Sequence, residues 1–325
     1  MQFRKLGGTG LQVSRLCIGT GTFGKQTDEA EAFRVLDAAA DAGVNFIDTA
    51  DIYPGVMELA EVGRAEEITG RWLKDRRGQF IIGTKAGWPM GPFPWDQGCS
   101  RKHLLSAIDE SLRRLNTDYI DLYQLHRDDA DTPLDETVEA LDIIVRSGKA
   151  RYIGVSNFLA YRLARAIGRQ DMLRLARFVS VQPRYNLLTR DIERELLPLA
   201  KEENIAVIPF NPLAGGLLTG KYKRDDNPEQ GRFSAEVGRF GAMYRDRYWH
   251  QREFDTIDEL RSLADGQNTS MPTMAIAWIL ANPTITSVIL GASRTAQLTD
   301  TLAAVDYDLS PNLKAEFDAL TEAYR

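Results

Sequence analysis

Asp48, Tyr53, Lys85 and His126 are the residues of this 325-residue chain whose types and placement could do chemistry together. A phenol can give a proton to an oxygen that is gaining electrons. With a reference pKa of about 10 it must approach working pH to do so efficiently, a shift of roughly 3 units or about 4 kcal/mol. A lysine ammonium about 4 Å away supplies on the order of 4 kcal/mol at an effective dielectric near 20, so one lysine suffices. Asp48 would hold Lys85 in place and charged, while its own negative charge takes back part of that help. A neutral His126, donating from one ring nitrogen, would orient a substrate oxygen beside the phenol and stabilise the oxyanion. These roles suit reduction of a carbonyl. Each residue alone has a plainer reading: a turn cap, a half-buried aromatic, a solvated charge, a packed imidazole.

Their common placement changes that reading. In Asn-Phe-Ile-Asp-Thr-Ala-Asp-Ile-Tyr, residues 45 to 53, an apolar run ends at Asp48 and Tyr53 follows within the next loop. Lys85 follows the run at 80 to 83, and His126 follows the run at 119 to 125. Short apolar runs near residues 15, 45, 80, 119, 150, 178, 205 and 286 alternate with helical patterns. In 101 to 115, Leu104, Ile108, Leu112 and Leu115 recur at helical spacing. In 134 to 147, Leu134, Val138, Leu141 and Val145 do the same, and Gly148 ends the helix. Eight strands alternating with helices predict an α/β fold, a (β/α)8 TIM barrel, whose strand ends ring one face and so bring the four residues together. Residues 2 to 18, with Gly7, Gly8 and Gly10 in the middle, predict an N-terminal hairpin closing one end. Residues 211 to 250 are rich in glycine and charge and predict a long loop after strand 7, the kind of segment that usually carries function. There is no linker and no fixed-period repeat, so residues 1–325 read as a single domain.

Composition excludes several classes. A net charge of -6 with no basic block argues against a nucleic-acid partner. Two cysteines, Cys17 and Cys99, are too few for a disulfide scaffold, and three histidines without ligand spacing predict no metal. No apolar stretch reaches the roughly 18 residues of a membrane span, and the amino terminus lacks a leader pattern, so a cytoplasmic protein without membrane partner is expected. Gly19, Gly21 and Gly24 imitate a dinucleotide fingerprint, with Asp48 ending the next strand. The imitation fails because Lys25 and Gln26 intervene before a helix that Thr27 or Asp28 would cap near Glu29. The glycines read instead as a loop that lets backbone approach a ligand. Lys221 and Arg232 could clamp phosphate oxygens.

Over essentially its whole length the chain resembles the aldo-keto reductase superfamily. The likeness rests on residues 45 to 53, Gly-Thr-Lys at 83 to 85, Tyr-Ile-Asp-Leu-Tyr-Gln-Leu-His at 119 to 126, and Gly-Val-Ser-Asn-Phe at 154 to 158. It continues through Gln-Pro-Arg-Tyr-Asn-Leu-Leu at 182 to 188 and Pro-Leu-Ala-Gly-Gly-Leu-Leu-Thr-Gly-Lys at 212 to 221. The resemblance implies a small-molecule carbonyl substrate and NADPH/NADP+ bound without a Rossmann fold, with Tyr53 as proton donor beside Asp48, Lys85 and His126. It implies that Ser156, Asn157 and Gln182 bind the carboxamide and that Phe210 stacks on the nicotinamide. The loop from Asn211 through Pro212, Leu213 and Gly216 to Lys221 would cover the pyrophosphate, and Thr22, Phe23, Asp48 and Arg232 would also contact the cofactor. Gly291, Ser293, Arg294, Gln297 and Asp300 would hold the adenosine 2′-phosphate and adenine. Phe210 stands where the family more often has Tyr or Trp, and Thr301 where Asn is common. The stretch 54 to 66 is longer than in most members and resembles a bacterial subgroup; with Phe23, Trp88 and Trp95 it is expected to shape the substrate entrance. Some barrels of this family are auxiliary subunits of potassium channels, in which binding dominates and the residue at His126 tends to be replaced; the intact four favour catalysis.

Overall fold

The computed structural model describes residues 1–54 and 59–325, the side chain of Glu236 excepted. Of the extended stretch expected at the substrate entrance, residues 55 to 58 lie outside the described residues. The strands are β1 (Phe3–Lys5), β2 (Gln12–Ser14), β3 (Leu16–Gly19), β4 (Phe46–Asp48), β5 (Ile81–Ala86), β6 (Ile120–Leu125), β7 (Ala150–Ser156), β8 (Phe178–Gln182), β9 (Ala206–Val207) and β10 (Val288–Gly291). The helices are α1 (Glu29–Asp41), α2 (Arg64–Trp72), α3 (Arg101–Leu115), α4 (Leu134–Arg146), α5 (Ala160–Leu173), α6 (Leu196–Glu202), α7 (Gly238–Tyr248), α8 (Gln251–Gly266), α9 (Met271–Leu280), α10 (Leu298–Ala303) and α11 (Pro311–Leu320).

β1 and β2 form the antiparallel hairpin, and the other eight strands form one parallel sheet in the order β10-β3-β4-β5-β6-β7-β8-β9. Backbone bonds from Thr286 to Val207 and from Ile289 to Pro209 bring β10 round to the β9 side, the curl of a (β/α)8 barrel. Strands buried on both faces need continuous apolar runs rather than alternation, which is why these segments were visible as short blocks. One layer of the core, including Cys17, Phe46, Ile81, Leu122 and Ile289, is joined by Leu6 and Val13 of the hairpin, so the hairpin plugs the barrel at the strands' amino-terminal end. The hairpin is shorter than residues 2 to 18: its strands end at Ser14, and Leu16 already belongs to the barrel. Arg15 marks the change of course, buried and donating to the carbonyls of Leu280, Ile285 and Thr286.

The register sets the opposite rim. Gly291 pairs with Gly19, Gly19 with Asp48, Asp48 with Gly83, Lys85 with Gln124, Leu125 with Val155 and Ser156 with Gln182. Chemically distinct residues thus end neighbouring strands at one level. Asp28 caps α1 by accepting from the Glu31 amide, so the glycine-rich segment before it is a loop rather than a phosphate-binding helix start.

The long connection expected after the seventh barrel strand runs from β9 to β10, and residues 211 to 250 within it carry local structure of their own. They contain a 3-10 turn at Ala214–Thr219 and the helix α7. An aromatic cluster holds the segment down: Phe233 packs against Tyr222, Tyr244 and Trp249, and Trp249 against Phe254. Gly215 has φ of 72°, and a Cβ there would lie 2.6 Å from the Tyr244 ring, so glycine is required twice over.

Candidate active site

Asp48, the last residue of β4, is almost fully buried and is the hub of the site. Its Oδ2 lies 2.5 Å from Lys85 Nζ, and its Oδ1 accepts from Gln182 Nε2 at 2.8 Å and Gln124 Nε2 at 3.2 Å. Lys85 Nζ donates again to the Thr49 carbonyl at 2.7 Å. With those two directions filled, its remaining face is toward Tyr53, whose ring centroid is 5.0 Å away. The His126 ring meets Tyr53 edge to face, with centroids 5.6 Å apart. The four residues expected to converge do so.

Burial opposes the charge on Lys85 most strongly, but Asp48, through its charge and hydrogen bond, and Tyr53 together outweigh it and hold the ammonium protonated above its usual range. Tyr53 goes the other way from expectation: burial raises its phenol above the ordinary value, outweighing the lowering effect of Lys85. The correction has a physical reason. Full burial of the phenol is the largest effect, and Asp48 takes back part of what Lys85 offers, so Lys85 offsets only some of the cost of desolvating a phenolate. The phenol therefore keeps its proton at neutral pH, the state a proton donor needs. His126 is pushed well below its usual pKa by burial, with Lys85 and Arg127 adding to the shift, so the imidazole is neutral. Its Nδ1 is buried without a hydrogen-bond partner among the described residues.

The loop from Asp48 to Tyr53 rests on a second buried cluster. Glu66 of α2, fully buried, accepts from Thr84 Oγ1 at 2.6 Å and from Arg114 Nε at 2.6 Å. Asp51 is fully buried beside it, neither carboxyl oxygen meeting a side-chain donor among the described residues, and its amide donates to the Lys85 carbonyl at 3.1 Å. Burial, and then the charge of Glu66, push the Asp51 carboxyl well above its ordinary range. Sequence reasoning missed Gln124, Asp51 and Glu66. Gln124 had a signal, a polar residue two before His126 and therefore on the same face of the chain. Asp51 and Glu66 had none, because a carboxylate in a loop or a helix's first turn is ordinarily solvated.

The other expected residues fall as follows. Ser156 Oγ donates to the Gln182 carbonyl at 2.9 Å, and Asn157 Nδ2 donates to the His126 carbonyl at 3.0 Å and to Ser156 Oγ at 3.0 Å. Phe210 and Asn211 are half-buried after β9; Asn211 Oδ1 accepts from the Gly215 amide at 2.6 Å, pinning the turn that contains Pro212, Leu213 and Gly216. Thr22 Oγ1 donates to the Ala292 carbonyl at 3.2 Å, joining the first rim loop to the segment after β10. In that segment, Gln297 Oε1 accepts from the Ser293 amide at 2.8 Å, and Arg294 donates to Gln230 Oε1 at 3.0 Å. Gly291 and Asp300 are exposed there. Lys221 is exposed, while Arg232 reaches back to the catalytic loop: a Cβ added to Gly21 would lie 3.8 Å from the Tyr53 ring and 3.9 Å from the Arg232 guanidinium.

Two expected substrate residues are not where the sequence placed them. Phe23 is fully buried in the hydrophobic core and its ring presents no surface to a ligand, because the loop turns inward to pack it against α1 and α2 neighbours such as Ile68. Trp95 is half exposed, stacked on Phe93 and lying beneath Lys102, with no ring contact to Tyr53 or His126. Trp88 lies beside the four, its ring 6.2 Å from His126. Among the described residues no cluster of His, Cys, Asp and Glu could hold a metal, and no helix is long and apolar enough to cross a membrane.

Comparison with known proteins agrees with this geometry. The family model for the Aldo/keto reductase family matches residues 15–322. A probable voltage-gated potassium channel subunit beta of Arabidopsis thaliana is 39% identical over 94% of this chain and 92% of its own. An uncharacterized oxidoreductase of Bacillus subtilis is 38% identical over 96% of this chain and 94% of its own. The L-glyceraldehyde 3-phosphate reductase of Escherichia coli K12 is 35% identical over 94% of this chain and 88% of its own. With the barrel, the rim and the match over nearly its full length in agreement, the chain belongs to the aldo/keto reductase family.

Proposed function

We propose that the protein is an NADPH-dependent reductase of aldehydes or ketones, working in the cytoplasm as one barrel domain. The observation that carries this is the Asp48–Lys85–Tyr53–His126 arrangement, with a protonated phenol, a charged lysine and a neutral imidazole side by side. The residues present fit a phosphate-bearing dinucleotide. Asn211, Ala214, Gly215 and Gly216 all have positive φ, the backbone arrangement that gathers N–H groups into an anion cradle, and Lys221, Arg232 and Arg294 supply cations around it. A Cβ on Gly21 would stand in contact with the Tyr53 ring and the Arg232 guanidinium, so a side chain there would crowd the face of Tyr53. Ser156, Asn157 and Gln182 would hold the carboxamide, and Phe210 would stack on the ring. NADPH supplies the hydride that goes to the carbonyl carbon.

Tyr53 gives its hydroxyl proton to the carbonyl oxygen, which completes the alcohol. His126 holds that oxygen beside the phenol through a ring N–H. Lys85 steadies the negative charge left on the tyrosine, and Asp48, fixed by Gln124 and Gln182, keeps Lys85 aimed. Trp88 gives the substrate an aromatic wall. A binding role like the one named for the Arabidopsis relative is the second reading, and His126 in contact with Tyr53 favours turnover over it.

Following NADPH oxidation against a panel of aldehydes, ketosteroids, sugars and quinones tests the proposal. The name of the Escherichia coli relative makes a phosphorylated aldehyde a natural member of that panel. Carbonyl-dependent oxidation with a matching alcohol product is expected. NADPH binding without turnover of any member would favour the binding role.

A further inference from the structure

Arg127 follows His126 directly, and the reductase reading gives it no task. Its side chain is half-buried, and it forms no ion pair or hydrogen bond among the described residues; its Nε is buried with no acceptor at all. The neighbouring carboxylates are already engaged. Asp128 grips Arg162 with two bonds of 2.8 Å, and Asp129 accepts from the Cys99 amide and the Thr132 hydroxyl, both at 2.7 Å. What Arg127 does touch is Trp88: the guanidinium carbon stands 4.5 Å from the Trp88 ring centroid, and the same ring lies 6.2 Å from His126. The tryptophan thus holds the guanidinium beside the residue that orients the carbonyl oxygen. The charge is close enough to help keep His126 neutral.

The cofactor's phosphates do not need this cation. Lys221, Arg232 and Arg294 follow β9 and β10, whereas Arg127 follows β6. A stacked, planar fork of N–H donors without a partner is suited to a carboxylate or phosphate, which it can meet with two parallel bonds.

We propose that Arg127 is the anion anchor of the substrate site, and that the preferred substrates are small aldehydes or ketones carrying a carboxylate or phosphate close to the carbonyl. This rests on the reductase reading above.

The test compares kcat/KM within matched pairs: succinic semialdehyde against butanal for a carboxylate, and dihydroxyacetone phosphate against dihydroxyacetone for a phosphate. The wild type is expected to favour the anionic member of at least one pair by about tenfold or more, equivalent to about 1.4 kcal/mol. Whichever pair shows the preference identifies the anion. In Arg127→Met the ratio should fall close to one, through KM of the anionic member rather than kcat. Arg127→Lys, which keeps the charge but loses the fork, should fall between. Salt provides a check that needs no variant, since the wild-type preference should shrink as ionic strength rises. A wild-type ratio near one in both pairs overturns the proposal, as does a ratio that Arg127→Met and Arg127→Lys leave unchanged; the latter would make Arg127 a packing partner of Trp88. If no carbonyl is reduced at all, the reductase reading fails first and this proposal falls with it.

Discussion

At the scale of single residues, protonation decides what the site does. Tyr53 holds its proton above an ordinary phenol's pKa of about 10, and His126 stays neutral well below the usual imidazole value of about 6.5. Across the pH range between those limits neither group changes state. We therefore expect kcat/KM for reduction to be level from about pH 6.5 to about pH 9, with no step near the usual histidine pKa and a decline only where the phenol ionises. A pH profile against a neutral aldehyde checks this; a clear inflection near pH 6.5 would show that His126 titrates. The NADPH preference we propose rests on Arg294. Its guanidinium holds Gln230 from across the rim, the only role it has among the described residues, and a 2′-phosphate would offer it two charge-assisted bonds instead. Arg294→Ala is expected to weaken NADPH by 10- to 100-fold and leave NADH almost untouched, the tenfold steps being about 1.4 kcal/mol each. Fluorescence titration of both nucleotides measures it, and equal losses would mean that Arg294 contacts something other than the 2′-phosphate.

At the scale of elements, the catalytic loop owes its shape to charges buried behind it. Asp51 lies between Asp48 and Tyr53, sealed against Glu66, which α2 and α3 tie to Arg114 at 2.6 Å. An Asp51 carboxyl that stays protonated in the fold, but ionises above its ordinary pKa of about 3.9 when unfolded, makes the native state bind the extra proton. Stability from this group is complete below about pH 4 and is lost as pH rises toward the folded pKa, at up to about 1.4 kcal/mol per pH unit. Asp51→Asn keeps the shape and removes the titration. Denaturation at about pH 5 and about pH 8 should show the variant gaining on wild type as pH rises; a constant difference would show that Asp51 ionises as easily in the fold as out of it. The elements were also unequally legible. Strand positions could be read because both faces of a barrel strand are buried, so each strand is a mostly apolar block. α7 could not: Gly238, Gly241 and three arginines obscure its pattern, and what holds it is Phe233 packed on Tyr244 together with Asn186 and Asn211 donating to the Tyr248 hydroxyl. Gly241 is there because a Cβ would meet the Ser234 carbonyl at 2.3 Å, a reason visible only in three dimensions.

At the scale of the whole molecule, the barrel turns a linear pattern into a ring. Asp48, Lys85 and His126 could be placed together from sequence because each ends an apolar run, and parallel strands put such ends at one level. What strand ends do not determine is which way a loop turns next. Phe23 was therefore expected at the site and lies in the core, while Gln124, inside a strand, was overlooked and reaches Asp48. The same limit applies to the phenol's pKa, which depends first on how deeply Tyr53 is buried and then on the charges of Lys85 and Asp48 around it, none of which residue spacing gives. The central claim is that Tyr53 donates the proton in an NADPH-dependent carbonyl reduction. Tyr53→Phe deletes that proton and little else, so NADPH affinity should stay close to wild type. Steady-state NADPH oxidation with the best carbonyl substrate should meanwhile fall by at least about 10², the usual worth of a positioned general acid. Turnover within about tenfold of wild type at saturating NADPH would contradict the account, because the oxygen would then be drawing its proton from somewhere else.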